Sequence, residues 1–358
     1  MTDRVLVTGG TGFVGGLVLR RLVAERRQVR ALVRRPADRE RLPTPLVELA
    51  FGHLGDRDSL ARAADGCAVV YHLAGMNKLC LPDPAPLYEV NVEGTRNVLE
   101  AAKRAGVRRV VYTSSAATLG GDGSAPVDEH APPPATYTSD YARSKAEAEQ
   151  LALGFLDGPE VVVVNPSSVQ GPGRVTGTAK LFINYLNGRL RFDLPATFGL
   201  CYTEDCVNGH LLAETKGKAG NRYVLNTATL TNREALDLIA VISGLPDRPR
   251  TVPRELAMAV AAAAEALAGL RGRPPVLCRE WVRTATHPHR YDGSRAEREL
   301  GLQYTPIRQA LETTVRWYVE QGLVTRRLPK FAGEDPIAKA AAKAKGGDVP
   351  PKEGGTAA

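Results

Sequence analysis

The stretch Val5-Leu6-Val7-Thr8-Gly9-Gly10-Thr11-Gly12-Phe13-Val14-Gly15 constrains this chain more than any other. A short β-branched run enters closely spaced glycines and leaves as an amphipathic segment, which reads as strand, tight turn and helix start. Gly9 permits the turn, Gly12 lets the backbone approach a pyrophosphate, and Gly15 lets the helix pack on the strand. Thr11, Phe13 and Val14 complete the loop. The free N–H groups and positive partial charge of a helix N-terminus favour phosphate. Glycines alone would be weak evidence. Here they stand between a strand and a helix at the head of a repeating pattern, as a dinucleotide loop requires.

That pattern continues. Apolar runs at 29–33, 47–50, 68–72, 109–113 and 161–164 alternate with helical stretches at 13–26, 87–105 and 141–153. Continuous apolar runs are strands buried on both faces, and their alternation with helices predicts an α/β Rossmann fold with a doubly wound parallel sheet. After Pro166 the pattern loosens, with helical stretches at 205–214, 232–243, 256–270 and 307–321. These predict a smaller, mostly helical C-terminal lobe for substrate. The expected divisions are a nucleotide-binding domain over 1–169, to which later segments can return, a substrate lobe over 170–325, and a basic Ala/Lys/Gly/Pro tail over 326–358. The tail has too little apolar surface to offset its ordering entropy and is expected to be disordered.

Composition excludes several classes. Of 358 residues, 43% are hydrophobic and 24% charged, as in globular proteins able to build a core without staples. Five cysteines, an odd number without a C-x-x-C pair, argue against a disulfide framework and against a zinc module, so no metal is expected. They suit a reducing, cytoplasmic setting. The formal net charge of +8 is partly terminal, and no nucleic-acid signature accompanies it. The N-terminus lacks the long apolar run of an export signal. The Ala-rich stretch 256–270 is shorter than the ~20 residues that span a bilayer, and reads as a buried or interfacial helix.

Two further features carry chemistry. Where the second strand ends, a site for NAD would place Asp or Glu against the ribose 2′-hydroxyl; this chain has Arg34-Arg35, whose guanidinium groups suit a 2′-phosphate. Tyr141-Ala142-Arg143-Ser144-Lys145 puts a phenol and an ammonium on one helix face. A cation beside a phenol favours phenolate, which makes the pair a plausible general acid/base.

Together with His72-Leu73-Ala74-Gly75, Asn91-Val92-Glu93-Gly94-Thr95, Tyr112-Thr113-Ser114-Ser115 and Asn165-Pro166-Ser167-Ser168, these motifs resemble an extended short-chain dehydrogenase/reductase. Such enzymes form part of the NAD(P)-dependent epimerase/dehydratase superfamily, and the chain is similar to dihydroflavonol-reductase-like and 3β-hydroxysteroid-dehydrogenase-like members. The resemblance implies Tyr141 as proton donor or acceptor, Lys145 as the group that bonds the nicotinamide ribose and lowers the phenol pKa, and Ser115 as holder of the substrate oxygen. It implies Leu73, Ala74 and Gly75 along the middle of the cofactor, and Thr113, Ser114, Asn165, Pro166 and Ser168 near its nicotinamide end. His72 reads as structural. The family's Gly-Asp-Leu is here Gly52-His53-Leu54, so His53 and Leu54 take the adenine position; Asp56 could serve only in a shifted loop. The resemblance also implies a homodimer built on the helices at 87–105 and 141–153.

The expected reaction is NADP-dependent hydride transfer between nicotinamide and a carbonyl or secondary alcohol of a small, apolar substrate. The alternative is a sugar epimerase working through a transient keto intermediate. Dehydration is disfavoured, because Ala116 and Ala117 stand where dehydratases of this kind carry carboxyl groups.

Overall fold

The computed structural model describes residues 4–42, 44–246, 248–271, 275 and 277–331. Along the chain run β1 (Val5–Thr8), α1 (Phe13–Ala24), β2 (Val29–Val33), β3 (Glu48–Phe51), α2 (Arg57–Ala64) and β4 (Val69–His72). Then come α3 (Ala85–Tyr88), α4 (Gly94–Arg104), β5 (Arg109–Thr113), α5 (Asp140–Leu153), β6 (Glu160–Pro166) and β7 (Ser168–Gln170). They are followed by α6 (Thr178–Leu186), β8 (Phe192–Asp193), β9 (Thr197–Tyr202), α7 (Thr203–Lys216), β10 (Arg222–Leu225) and β11 (Ala228–Thr231). The last are α8 (Asn232–Ser243), β12 (Arg250–Thr251), α9 (Arg254–Leu270), α10 (Arg279–Thr286) and α11 (Ile307–Glu320).

Seven strands form one sheet in the order β10-β6-β5-β4-β1-β2-β3, every neighbouring pair parallel. The order reverses between β1 and β4, the place where such sheets open a crevice at their carboxyl ends. Period-two alternation divides the core. Val5, Val7 and Tyr71 face α1 and α7, with Leu19, Leu22 and Val207. Leu6, Val70 and Tyr112 face the other way, with Leu60, Leu99 and Ala148. The segment 203–225 therefore returns to the main sheet, α7 covering it and β10 extending its edge.

The remainder packs as a smaller lobe around Phe182, Tyr185, Ile239, Leu311 and Tyr318, with small sheets β11-β9-β7 and β12-β8. Leu328 and Phe331 lie buried in that core, against the expectation that the chain is disordered from 326. Two large apolar side chains gain enough burial there to hold the segment. From 332 to 358 the expected tail lies outside the described residues.

The Ala-rich α9 buries only Ala257 and Ala261 and leaves Leu256, Val260, Leu267 and Leu270 exposed. Among the described residues no helix is long and apolar enough to cross a membrane.

The expectation of cysteines suited to a reducing setting is corrected at one pair. Cys80 and Cys278 form a disulfide with Cα atoms 5.8 Å apart, while Cys67, Cys201 and Cys206 are free and buried. The two partners are 198 residues apart, and only the docking of α10 against the loop after β4 brings them together.

Candidate active site

The glycine turn is built as a cradle. Gly9 has φ +77°, and a Cβ there would sit 2.6 Å from the Ala74 nitrogen. A Cβ on Gly15 would sit 2.1 Å from the Gly9 carbonyl oxygen. Gly12 begins α1 with no side chain capping the first turn, and a Cβ there would meet only the Gly9 oxygen within 4 Å. The helix N-terminus thus opens onto free space, as phosphate oxygens require. Thr8, at the end of β1, ties the neighbouring strand in: its hydroxyl accepts from the Ala74 N–H at 3.2 Å and is bonded to His72 Nδ1 at 2.8 Å. His72 is buried and also bonded to Thr95 at 3.1 Å, which makes it structural, as expected.

Arg34 and Arg35 follow β2 and are exposed. Arg35 pairs with the buried Asp38 at 3.6 Å, whereas Arg34 forms no ion pair among the described residues. His53 is exposed and accepts from the Gly55 N–H, and the Leu54 carbonyl accepts from Asn97. Asp56 Oδ1 accepts from the N–H groups of Asp58 and Ser59, making it the N-cap of α2.

Tyr141 lies in the first turn of α5, which Ser139 caps by accepting from the Ala142 N–H. Its half-buried phenol has the Ser115 hydroxyl beside it. Ser115 begins a short 3-10 turn (Ala116–Thr118) after β5 and accepts from the Ala117 N–H. Lys145, one helical turn along, is buried. Its Nζ donates to Tyr112 Oη and to the Thr113 carbonyl, each at 2.8 Å. Here the expected electrostatics are corrected. Burial pushes the Tyr141 phenol above its ordinary value, with the Ser115 hydroxyl and the Arg174 charge opposing the shift. Burial also pushes the Lys145 ammonium down, to about 7. The lysine is engaged by Tyr112, so it does not lower the Tyr141 pKa in this arrangement.

The other expected residues converge on the same crevice. Leu73 donates its N–H to the Thr8 carbonyl. A Cβ on Gly75 would lie 3.9 Å from Lys145 Nζ. At the end of β6, Asn165 Nδ2 donates to the Ser115 carbonyl at 3.1 Å, while its buried Oδ1 has no partner. Ser168 is bonded to Gln170 and Thr178, and Pro166 pairs with Leu225 in the sheet. An open cradle and an orphaned acceptor at the opposite end of the crevice fit a dinucleotide lying between them.

Three residues carry more of the site than sequence reasoning allotted. Asn91, in a π-helical turn between α3 and α4, donates to the Met76 carbonyl and to Ser144 while accepting from the Met76 N–H. Such turns cluster at functional sites, but one inserted residue is invisible to helical periodicity. Arg174 reaches over the Phe13 ring at 5.2 Å. Glu149 gathers four donors, described below. A groove of about 930 Å³ runs along the other side of α5, past Tyr137, Arg143 and Glu147, and does not include Tyr141 or Ser115. The residues expected for catalysis lie at the crevice and not in this groove. Cys80, Cys278 and Glu280 lie close enough to hold a cation, but the two sulfurs are bonded to each other.

The seven-stranded sheet with its glycine cradle is that of an NAD(P)-dependent oxidoreductase of the extended short-chain dehydrogenase/reductase type. The chain belongs to the NAD dependent epimerase/dehydratase family, whose model matches residues 5–226. It is 36% identical to a putative dihydroflavonol 4-reductase of Synechocystis sp., over 90% of this chain and 97% of that one. It is 34% identical to a 3 beta-hydroxysteroid dehydrogenase/Delta 5-->4-isomerase of Mycobacterium tuberculosis, over 64% of this chain and 66% of that one. Among solved structures, DesIV, the dTDP-glucose 4,6-dehydratase of Streptomyces venezuelae with NAD and TYD bound, superposes with TM-score 0.70 at 27% identity. That match covers 88% of this chain and 97% of DesIV.

Proposed function

We propose that this protein is an NADP-dependent reductase or dehydrogenase acting on a carbonyl or secondary alcohol of a small, apolar substrate, with Tyr141 as proton donor and acceptor. The observation that carries the reading is the meeting of Tyr141 and Ser115 at the crevice, with Lys145 one turn along the same helix. When bound, a nicotinamide cofactor supplies or takes up the hydride. Tyr141 gives its phenolic proton to the carbonyl oxygen in reduction and accepts the hydroxyl proton in the reverse direction. The Ser115 hydroxyl donates to that same oxygen and orients it. Burial keeps the phenol protonated at neutral pH, which favours the reducing direction.

For the cofactor, Gly9, Gly12 and Gly15 with Thr11, Phe13 and Val14 hold the pyrophosphate. His53 and Leu54 border adenine, and Asn165, Pro166 and Ser168 border nicotinamide. Exposed Arg34 and Arg35 favour a 2′-phosphate, hence NADP over NAD. The apolar substrate is supported by relatives named for a dihydroflavonol and a 3β-hydroxysteroid. The test is a panel of ring ketones and nucleotide sugars, read by loss of NADPH absorbance with Tyr141→Phe as blank. Stoichiometric oxidation with a ketone is expected. Sugar interconversion without net cofactor consumption would establish the epimerase instead.

We also propose a homodimer built on the helical stretches at 87–105 and 141–153; sedimentation at monomer mass would dispose of it. The proposed location is the cytoplasm, against the Cys80–Cys278 bond, which is of a kind that persists in oxidising compartments. Cell fractionation decides between the two.

A further inference from the structure

Glu149 lies on α5, one turn beyond Lys145 and two beyond Tyr141, with its side chain only 3% exposed. A buried carboxylate is costly unless its oxygens are satisfied. Here Oε2 accepts from the Ser114 hydroxyl, from Thr118 Oγ1 at 2.9 Å and from Asn165 Nδ2 at 2.6 Å. Oε1 accepts from an Arg222 guanidinium nitrogen at 2.7 Å. Arg222 is itself anchored, donating to the carbonyls of Glu129 at 2.9 Å and Ala131 at 2.7 Å.

These donors are not scattered through a core. Ser114 precedes Ser115 and Thr118 closes the turn that Ser115 begins, its Oγ1 lying 2.9 Å from the Ser115 carbonyl as well, so that one proton is shared between that oxygen and Glu149. Asn165 reaches that carbonyl as well, from the end of β6. The backbone of Ser115 is thus gripped on both sides by groups that share one carboxylate, and the carboxylate rides on the helix that carries Tyr141. The Ser115 hydroxyl is outside this network and stays beside the phenol.

We propose that Glu149 is a positioning residue: it locks the Ser115 turn to α5, so that the Ser115 hydroxyl and the Tyr141 phenol meet the same substrate oxygen. The proposal rests on the roles given to Ser115 and Tyr141 above. It requires Glu149 to act through Ser115, which a merely stabilising carboxylate would not do.

Glu149→Gln keeps the shape, removes the charge and turns an N–H group toward the donors. Per folded molecule, kcat for carbonyl reduction falls about tenfold to a hundredfold, with KM little changed. Ser115→Ala alone lowers kcat, and adding Glu149→Gln to it costs almost nothing more. Additive losses, or an unchanged kcat in Glu149→Gln, overturn the proposal. Should Glu149→Gln fail to fold, Thr118→Val takes its place in the same cycle, with the same non-additivity required. If the wild type reduces no carbonyl, the reaction reading fails separately. Glu149 is then judged by NMR titration of 13C-labelled Tyr141, whose phenol faces Ser115, Arg174 and Tyr291. A Tyr141 midpoint that rises in Glu149→Gln as it does in Ser115→Ala upholds the proposal; a midpoint that stays put overturns it.

Discussion

Lys145 Nζ sits 2.8 Å from Tyr112 Oη and 4.5 Å from the centre of the Tyr112 ring. Tyr112 is wholly buried, so the ammonium has a phenol oxygen and a ring face as neighbours where water would otherwise stand. Burial brings the Lys145 pKa to about 7, and the cation is lost as pH rises through that value. With the nicotinamide ribose as the partner expected for this ammonium, loss of its charge weakens the hold on the cofactor, and kcat/KM for carbonyl reduction should decline from about pH 7 upward. Tyr112→Phe removes an acceptor that favours the charged form, so its decline should begin at lower pH. A profile of kcat/KM against pH for both proteins checks this, and an identical midpoint in the two would refute it.

Tyr141→Phe removes the proton while leaving the ring in place. Reduction should slow by about a hundredfold to ten-thousandfold, the usual worth of a positioned acid. Binding of NADPH, followed by its fluorescence, should be unchanged, because the cradle lies at the other end of the crevice.

Arg34 is exposed and has no ion pair to lose among the described residues, so Arg34→Ala tests the 2′-phosphate reading without disturbing the fold. The Kd for NADPH should rise about tenfold to a hundredfold, the loss expected when a charge-assisted hydrogen bond is removed. The Kd for NADH should hardly move. Equal effects on both cofactors would count against the preference.

The Cys80–Cys278 bond closes a long loop between the segment after β4 and the start of α10. Glu280 reinforces that junction by accepting from the N–H groups of Cys80 at 2.6 Å and Asp140 at 3.0 Å, the latter next to Tyr141. Peptide mapping without reductant should recover the two cysteines joined. Reduction should lower stability in urea by about 2–4 kcal/mol. Cys278→Ser should lose this dependence on reductant.

Phe331 closes the smaller lobe and lies 5.4 Å from the Arg316 guanidinium. Phe331→Ala should cost about 3–5 kcal/mol, the range for a buried aromatic side chain removed from a core. Equilibrium unfolding measures it, and a loss near zero would mean that the segment does not hold the lobe in solution.

The glycine turn and the placing of Tyr141 and Lys145 one turn apart on a single helix were legible along the chain because both are local. A glycine turn and an i, i+4 spacing have one geometry wherever they occur, so neighbouring residues suffice to read them. Six of the seven parallel strands were legible for a related reason, since burial on both faces leaves unbroken apolar runs; β10 was not, because it joins the sheet only through the return of the segment 203–225. Other facts depend on partners far away in sequence. Lys145 meets Tyr112 across 33 residues, and Glu149 draws on Ser114, Thr118, Asn165 and Arg222 from separate elements. Cys80 finds Cys278 across 198 residues. Such contacts follow from how helices seat on the sheet and how the smaller lobe closes, a packing solution that no short window of sequence contains. The raised Tyr141 phenol belongs with them, because burial is a property of the assembled crevice.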